Sequence, residues 1–337
     1  PAHYKNHHSM GNRNSSLFSP RASNVTSAHA AHAYGHHEGQ PSSTPTTTVI
    51  KTLILGSSTV GKSTIWKSIR IANNDEFEAK IFSDTKQIAR LNAVNAMNIL
   101  LDKLKCFYPC VSCQAYSDSI LTVRKFREEA FEDDAQIERI TASAFQRYDD
   151  YKRLADALQK LWQWPSIQHL FMRERLTQKF AFTQNMAYWY KRVTPLLSKS
   201  YTANKEDWLR VEERTTGSID YVMQDEQDVD VEFQFVDIGG ERNERKKWKY
   251  NLNNVSCILY VCALNQFCLA LFEDESVIGL NENIALFHVI SKIKYLQHTK
   301  MFVLLNKTDL FREYLVHTPL TFCFGDEYNG RNYRDAD

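Results

Sequence analysis

The stretch that decides the fold reads Gly56-Ser57-Ser58-Thr59-Val60-Gly61-Lys62-Ser63-Thr64. It fits the pattern G-x-x-x-x-G-K-[ST] and lies between a predicted strand at residues 49–55 and a predicted helix at residues 62–72. Backbone N–H groups of such a loop, together with the N-terminus of the following helix, surround phosphate oxygens. Lys62 is expected to neutralise the β and γ phosphates, and the Ser63 hydroxyl to bind Mg²⁺. The loop therefore predicts a nucleoside phosphate site without identifying the base.

Two later stretches identify the base as guanine. Leu304-Leu305-Asn306-Lys307-Thr308-Asp309 follows a predicted strand, and the Asp309 carboxylate can accept hydrogen bonds from both N1–H and N2–H₂ of guanine. Phe235-Val236-Asp237-Ile238-Gly239-Gly240 ends another strand with an acid, Asp237, suited to the Mg²⁺ shell. The glycines that follow, Gly240 among them, allow a backbone N–H to approach a γ-phosphate. In this order, each at a strand end, the three motifs predict a guanine nucleotide site.

The composition is that of a folded protein and argues against several classes. Of the 337 residues, 43% are hydrophobic and 24% charged, close to ordinary globular proteins. Lys and Arg number 41 against 40 Asp and Glu, so the surplus of positive charge that nucleic-acid binding requires is missing, and we expect no nucleic-acid partner. The seven cysteines are odd in number and unevenly spread, which favours a reducing, cytoplasmic compartment over a disulfide-stabilised secreted domain.

No transmembrane or secretory segment is predicted. The stretch at residues 251–272 carries no charged residue, but its apolar run covers only residues 257–264. That run has the length of a strand, whereas a membrane span needs roughly 20 apolar residues. Residues 1–48 lack the apolar region of a secretory signal.

Residues 1–48 differ from the rest of the chain. They hold seven of the eleven histidines and four of the eight prolines but only four charged residues, and their apolar residues follow no period. This composition predicts a disordered, low-complexity tail. The histidines could suggest a metal site, but they have no companion cluster of acids or cysteines, which favours solvated low complexity.

The section that follows the loop is predicted to be helical. Asp84 with Gln87 fits a capping box ahead of apolar residues at helical spacing. The apolar residues are Ile88, Leu91, Val94, Met97, Leu101 and Leu104, and a second set is Leu154, Leu158, Leu161 and Trp162. After Gly217 the pattern changes to strands, at residues 219–223, 231–236, 257–264 and 301–305, with helical segments between the last three. Strands alternating with helices predict an α/β fold with a mostly parallel sheet.

Longer stretches resemble the alpha subunits of heterotrimeric G proteins. The family's D-V-G-G-Q-R-S-E-R-K-K-W is similar to the stretch Asp237-Ile238-Gly239-Gly240-Glu241-Arg242-Asn243-Glu244-Arg245-Lys246-Lys247-Trp248. The family's D-V-L-R-T-R-V-K-T-T-G is similar to the stretch Asp207-Trp208-Leu209-Arg210-Val211-Glu212-Glu213-Arg214-Thr215-Thr216-Gly217. The stretch at residues 306–311 resembles N-K-K-D-L-F, and residues 322–324 and 328–330 resemble the family's next stretch of chain. The resemblance runs from residue 49 to the end.

The resemblance implies a guanine-nucleotide switch between two domains. One is a P-loop GTPase (Ras-like) domain at residues 49–74 and 208–337, its C-terminal part missing, and the other is an inserted all-α domain at residues 75–207. The implied ligands are GTP or GDP and Mg²⁺, with Ser63 and Thr215 on the metal. Candidate binding residues are Ser58, Thr59, Val60, Gly61, Lys62, Ser63, Thr64, Leu209, Arg210, Thr215, Asp237, Gly240, Asn306, Lys307 and Asp309.

The family also implies partners and a location. The partners are a beta-gamma dimer, a seven-helix receptor, an RGS-type regulator and an effector. The location is the cytoplasm, with the inner face of the plasma membrane as a further option. The stretch Met10-Gly11-Asn12-Arg13-Asn14-Ser15 fits an N-myristoylation pattern, so a chain starting at Met10 could be acylated on Gly11, although a chance match is as plausible. No amphipathic helix is predicted before residue 49, whereas the family meets its beta-gamma partner through an N-terminal helix.

The chain departs from the family at the positions that carry catalysis. In the loop, Ser58, Thr59 and Val60 replace a glycine, a glutamate and a serine. The catalytic arginine falls on Glu212 and the water-orienting glutamine on Glu241, so hydrolysis should be slow. The nearby Arg210 or Arg214 could replace the lost cation, which makes Glu241, Glu212 and Arg210 the candidate catalytic residues.

Other interpretations remain open. The T-C-A-T loop and last helix of the family have no counterpart, so either the sequence is a fragment, which a start at Pro1 favours, or nucleotide and receptor binding are impaired. The spacing of Cys106, Cys110 and Cys113 can hold an iron–sulfur cluster, though redox-sensitive loop cysteines fit better. A catalytically inactive, GTP-bound scaffold is the main functional alternative. An adenine-nucleotide P-loop enzyme, which would not need Asn306 and Asp309, is a weaker one.

Overall fold

The computed structural model describes residues 47–325 apart from residues 74, 76, 78, 108–113, 131–150, 178–184, 226, 227, 229, 272 and 275. The strands are β1 (Thr48–Leu55), β2 (Ser218–Gln224), β3 (Val231–Ile238), β4 (Cys257–Ala263) and β5 (Lys300–Asn306). The α-helices are α1 (Lys62–Ala72), α2 (Ala79–Phe107), α3 (Ser117–Ala130), α4 (Tyr151–Trp162), α5 (Pro165–Thr177), α6 (Met186–Lys191), α7 (Val193–Leu197), α8 (Lys205–Arg210), α9 (Gly279–Ser291), α10 (Thr308–Leu315) and α11 (Thr321–Phe324). Short 3₁₀ segments cover Gln114–Tyr116, Arg245–Tyr250, Leu264–Cys268 and Lys294–Leu296.

The strands form one five-stranded sheet in the order β2-β3-β1-β4-β5. β1 runs parallel to both of its neighbours, β3 and β4, and β4 runs parallel to β5. β2 alone pairs antiparallel, with β3. The predicted α/β fold with a mostly parallel sheet is confirmed, and each predicted strand is present within two residues of its expected ends. Because parallel strands share a direction, the segments after β1, β3, β4 and β5 all leave the same edge of the sheet.

Both faces of the sheet are covered, which explains the long apolar runs in its strands. On one face, Leu53, Val236 and Tyr260 belong to a buried cluster that includes residues of α9 and α10. On the other face, Ile54 and Val261 pack with residues of α1, α2 and the segment around Trp208. The central strand β1 is therefore fully buried at its last residues, immediately before the loop that follows it.

The helices between α1 and β2 have a core of their own. Most of the apolar residues predicted from helical spacing lie in it, fully or almost fully buried: Leu91, Val94, Met97, Leu101, Leu104, Leu154, Leu158 and Leu161. Ile88 packs instead against the cluster shared with the sheet, and Trp162 is partly buried at the margin of the helical core. The predicted all-helical character of this section is confirmed for the described residues.

Two local predictions need correction. The capping box at Asp84 and Gln87 is wrong, because α2 begins at Ala79 and both residues lie inside it. Ile81 packs against the cluster shared with the sheet, so tertiary burial extends the helix past the local capping signal. The helical segment predicted between β3 and β4 is a 3₁₀ segment, Arg245–Tyr250.

The predictions for the two ends of the chain concern mostly residues outside the described part. β1 begins at Thr48, so the tail predicted for residues 1–48 ends earlier than expected, and the rest of that prediction lies outside the described residues. The Met10–Gly11 pattern and residues 328–330 lie outside them as well. In the described part of the chain, no helix combines the length and the apolar character needed to cross a membrane.

Candidate functional site

The loop at residues 56–61 leaves the end of β1 and enters α1. Gly56 has a φ of 149° and Gly61 a φ of 99°, in the region that favours glycine, while Thr59 adopts a left-handed φ of 59°. At Gly56 an added Cβ would overlap the carbonyl oxygen of Val261, so β4 approaches too closely for a side chain. These constraints shape the loop so that the chain turns sharply between strand and helix.

The motif after β5 lies directly against this loop. Asn306 Nδ2 donates a hydrogen bond of 2.8 Å to the carbonyl oxygen of Val60, and Lys307 Nζ donates one of 2.8 Å to that of Thr59. Lys307 itself has a left-handed φ of 58° and precedes α10, which carries the exposed Asp309 in its first turn. Two segments whose bonded residues are 246 positions apart in sequence are thus in direct contact.

Lys62 is the buried cation of the loop. Its Nζ donates a hydrogen bond of 2.7 Å to the carbonyl oxygen of Ser57. Burial lowers the pKa of Lys62 to about 8, and the attraction of Asp237 opposes part of that effect. An added Cβ at Gly240 would overlap Lys62 Nζ, so the segment after β3 reaches this cation only because Gly240 has no side chain.

Three oxygen-bearing side chains meet beside Lys62. Ser63 Oγ donates a hydrogen bond of 2.6 Å to Asp237 Oδ2 and lies 2.8 Å from Thr215 Oγ1, which lies 3.3 Å from the same carboxylate oxygen. The second oxygen of Asp237, Oδ1, is buried and has no hydrogen-bond partner among the described residues. Burial raises the pKa of Asp237, against the pull of Lys62. Hydroxyl and carboxylate oxygens with an unused acceptor suit a hard cation such as Mg²⁺.

The segment after Gly240 is clamped against α9. Arg245 Nε donates to the carbonyl oxygen of Gly240 at 3.0 Å, and Arg245 Nη1 pairs with Glu282 at 2.5 Å. Arg242 pairs with the same carboxylate at 3.0 Å and with Asp274 at 2.9 Å. Two arginines on one acid hold this segment close to the loop.

Glu241 stands within the clamped segment and forms an ion pair with Arg214. Burial raises the pKa of Glu241, and Arg214 acts against that shift. Arg214 directly precedes Thr215, so the pair joins the segment before β2 to the segment after β3.

Glu212 occupies a different place from Glu241. Its backbone N–H donates to Asn92 Oδ1 at 2.9 Å, and Asn92 Nδ2 donates to its carbonyl oxygen at 3.0 Å. Asn185 Nδ2 donates to the Glu212 carboxylate at 3.2 Å. Burial raises the pKa of Glu212 to about 7, and Lys307 opposes the shift. The helices therefore hold Glu212 on the side of the site that carries Lys307.

Arg210 and Leu209 belong to α8, which begins with a capping box between Asn204 and Asp207. The Arg210 guanidinium pairs with Glu206 at 3.2 Å and lies 4.4 Å from the centre of the Tyr188 ring. These contacts draw its side chain toward the helices. The structure therefore unites the loop with Asp237, Gly240, Asn306 and Lys307, and gives Arg210 and Arg214 different neighbours.

Two buried amide side chains form hydrogen bonds with the loop at residues 56–61. The sequence alone did not predict them. Asn283 Oδ1 accepts from the Ser57 N–H at 3.2 Å, and Asn283 Nδ2 donates to Gln266 Oε1 at 2.8 Å. Gln266 Nε2 donates to the carbonyl oxygen of Ser58 at 3.1 Å and to Thr59 Oγ1 at 3.0 Å. The one signal in the sequence is that Gln266 closely follows a strand that ends at the site.

No group of three or more metal-binding side chains of the His, Cys, Asp and Glu types occurs among the described residues. Cys106 is exposed and free, while Cys110 and Cys113 lie outside the described residues, so the interpretation of that cluster stays a prediction. One comparison with known proteins bears on this geometry. The profile of a family described as "G-protein alpha subunit" matches residues 31–336, a range that contains every described strand and helix.

Proposed function

The chain belongs to the G-protein alpha subunit family, whose members are guanine-nucleotide-binding signalling proteins, and from this premise we propose that it binds GTP with Mg²⁺ and hydrolyses it slowly. The observation that carries the proposal is the meeting of Ser63, Thr215 and Asp237 beside the buried Lys62. These groups can neutralise phosphate charge and supply oxygen ligands to a divalent cation.

The phosphate half of the proposal rests on charge. Lys62 is held by the carbonyl oxygen of Ser57 and needs only a short reorientation to meet an anion, because an ammonium has three donors. Ser63 and Thr215 would hold Mg²⁺ through their hydroxyl oxygens, with Asp237 behind them. The bound metal would neutralise charge on the phosphates. The unused Asp237 Oδ1 supports this assignment, since a buried acceptor without a partner is costly.

The base half of the proposal rests on Asn306, Lys307 and Asp309. Asn306 and Lys307 brace the phosphate loop through the carbonyl oxygens of Val60 and Thr59. Asp309 is exposed and therefore open to accept from N1–H and N2–H₂ of guanine. Adenine lacks that pair of donors, which disfavours the alternative of an adenine-nucleotide enzyme.

Slow hydrolysis follows from two carboxylates near the phosphates. Phosphoryl transfer is stabilised by cations around the γ-phosphoryl oxygens, and an arginine placed there contributes about 10³–10⁵ in rate. At the position of the family's arginine this chain has Glu212, and its carboxylate is tied to Asn185. Glu241, at the position of the glutamine, cannot donate a hydrogen bond when ionised. We therefore propose that the chain retains nucleotide binding while its hydrolysis of GTP is impaired, and that a partner can accelerate hydrolysis by supplying a cation.

The domain organisation belongs to the same proposal. We propose that residues 49–74 and 208–337 make up the GTPase domain and residues 75–207 an inserted helical domain. The beta-gamma dimer, seven-helix receptor, RGS-type regulator and effector are proposed partners, because the family as a whole interacts with proteins of these classes. Peripheral attachment at the cytoplasmic face of the plasma membrane, aided by acylation of Gly11, is proposed on the same footing.

A scaffold that keeps GTP permanently is the second candidate, and the ion pair between Glu241 and Arg214 is the observation that favours it. An acid that is satisfied by an internal arginine could be structural rather than catalytic.

The deciding experiment is single-turnover hydrolysis of GTP with Mg²⁺, measured beside the equilibrium affinity for GTP. Binding with slow but measurable phosphate release supports the switch, and binding without release supports the scaffold. Failure to bind GTP, or equal displacement of GTP by ATP, would refute both.

A further inference from the structure

Arg214 and Glu241 are two oppositely charged side chains that join the segment before β2 to the segment after β3. Each stands next to a residue of the proposed nucleotide site. Arg214 precedes Thr215, whose hydroxyl lies 2.8 Å from Ser63 Oγ. Glu241 follows Gly240, where an added Cβ would overlap Lys62 Nζ. The pair therefore lies one residue from Thr215, which would hold Mg²⁺, and one residue from Gly240, whose N–H would approach the γ-phosphate.

Backbone groups near both members of the pair form hydrogen bonds. The carbonyl oxygen of Glu241 accepts from the N–H groups of Glu244 at 2.9 Å and Arg245 at 3.1 Å. On the other side, the Gly217 N–H donates to Glu244 Oε2 at 2.8 Å. The bond between Gly217 and Glu244 thus links the two segments independently of the ion pair.

Resting on the proposed function, we propose that intrinsic GTP hydrolysis depends on Arg214 as a positioning residue, which holds Glu241 against the γ-phosphate end of the site to orient the attacking water. Arg214 Nη2 pairs with Glu241 Oε2, and a carboxylate has enough lone-pair sites to accept a further hydrogen bond beside such a pair. The guanidinium also offsets the negative charge that would make Glu241 repel the γ-phosphate. A fixed, charge-balanced acceptor is what an attacking water requires.

Arg210 does not compete for this role. Its guanidinium pairs with Glu206 and lies over the Tyr188 ring, both of which belong to the helical section. The other charged groups that act on Glu241 are Glu273, Glu244 and Lys62. Two of these three are acids, which makes a compensating cation more necessary.

In the proposed reaction the water oxygen forms a bond to the γ-phosphorus. The bond between that phosphorus and the β–γ bridging oxygen breaks, and GDP leaves with the bonding electron pair. One proton of the water passes to Glu241 and then to the phosphate product. No oxidant, reductant or further reactant is needed.

The test compares Arg214→Ala and Arg214→Lys in the full chain, by single-turnover hydrolysis of γ-labelled GTP and by GTP affinity. Arg214→Ala should lower the rate of GTP hydrolysis roughly 10- to 100-fold, which is the lower part of the range for a positioned acid–base group. The affinity for GTP should change less than about threefold. Arg214→Lys should restore much of the rate, because an ammonium can still bind the carboxylate. The control Arg124→Ala breaks an exposed ion pair with Asp102 on the helical section and should change neither quantity.

The outcomes separate this inference from the proposed function. If the unmodified chain does not bind GTP, the proposed function fails. If it binds and hydrolyses GTP but Arg214→Ala is as fast, or Arg214→Lys is as slow as Arg214→Ala, the positioning role is overturned. In the background of Glu241→Ala, removing Arg214 should have no further effect on the rate, and a second independent loss would also overturn it. Should Arg214→Ala not fold, Arg214→Gln keeps much of the volume of the side chain without its charge and is held to the same criteria.

Discussion

Asn185 Nδ2 donates a hydrogen bond to Glu212 Oε1 at 3.2 Å, so the helical section holds a carboxylate three residues before Thr215. Asn92, on α2, binds both the N–H and the carbonyl oxygen of Glu212. A residue with three hydrogen bonds to the helical section on one side and a charge interaction with Lys307 on the other is a junction between them. The protonation of Glu212 should therefore affect the stability of the fold and the surroundings of Lys307.

The first prediction concerns pH and stability. The folded-state pKa of Glu212 is raised from 4.5 to about 7, mainly by burial. A carboxyl group whose pKa is higher in the folded state contributes stability that is fully present below pH 4.5 and is lost as the pH rises through about 7. Glu212→Gln should abolish this contribution to the pH dependence of the free energy of unfolding. Above pH 7 the substitution should raise the free energy of unfolding by on the order of 1 kcal/mol.

Urea unfolding of the nucleotide-free chain between about pH 5 and pH 8 measures how the free energy of unfolding changes with pH. The matched control is Glu213→Gln, since Glu213 is the exposed neighbour on the same segment. Parallel stability curves for the unmodified chain and Glu212→Gln would contradict the prediction.

The sequence predicted the parts of the site that are built locally. The loop at residues 56–61 and the Asn306–Lys307 motif follow strands directly, so strand pairing alone brings them together. The helix start predicted at Asp84 was wrong because a capping pattern is a local signal. The burial of Ile81, which extends the helix before Asp84, depends on tertiary packing. No spacing rule predicts that Gln266 and Asn283 would meet beneath the loop, because two buried amides 17 residues apart find each other only through the packing of α9. For the same reason the sequence suggested Arg214 as a cation but not its partner.

The second prediction is a change of base preference. Asp309→Asn should lower GTP affinity by about 10²-fold or more and favour xanthosine triphosphate, because an amide can donate to the C2 oxygen of xanthine. Competition of guanine, xanthine and adenine triphosphates against a fluorescent GTP analogue measures the preference. Asp156→Asn, which removes an exposed acid from α4, is the control and should bind as the unmodified chain does. Unchanged GTP affinity in Asp309→Asn would exclude Asp309 from the base site.

The third prediction concerns the amides beneath the loop. Asn283→Leu would leave the Ser57 N–H and Gln266 Oε1 without these partners, and each buried unpaired group costs about 1–3 kcal/mol. The loop should loosen, so both stability and GTP affinity should fall. Asn281→Leu is the matched control, because Asn281 lies on the same helix but donates to the carbonyl oxygen of Cys323. The control should lose stability alone, and equal losses of GTP affinity in the two variants would refute a specific role for Asn283.

The last prediction restores the family's charges. Glu212→Arg combined with Glu241→Gln should raise single-turnover hydrolysis steeply, toward the ~10³-fold end of what an arginine contributes, because a cation and a neutral donor would replace two carboxylates. Glu212→Arg also brings a second cation toward Lys307, so Thr59→Glu should be added to balance it, at the position where the family has a glutamate. In this background Arg214→Ala should no longer slow the reaction, since the guanidinium introduced at position 212 supplies the charge and the neutral amide introduced at position 241 needs no counter-ion. If the unmodified chain already hydrolyses GTP as fast as the substituted one, the two carboxylates do not limit turnover and the charge argument is wrong.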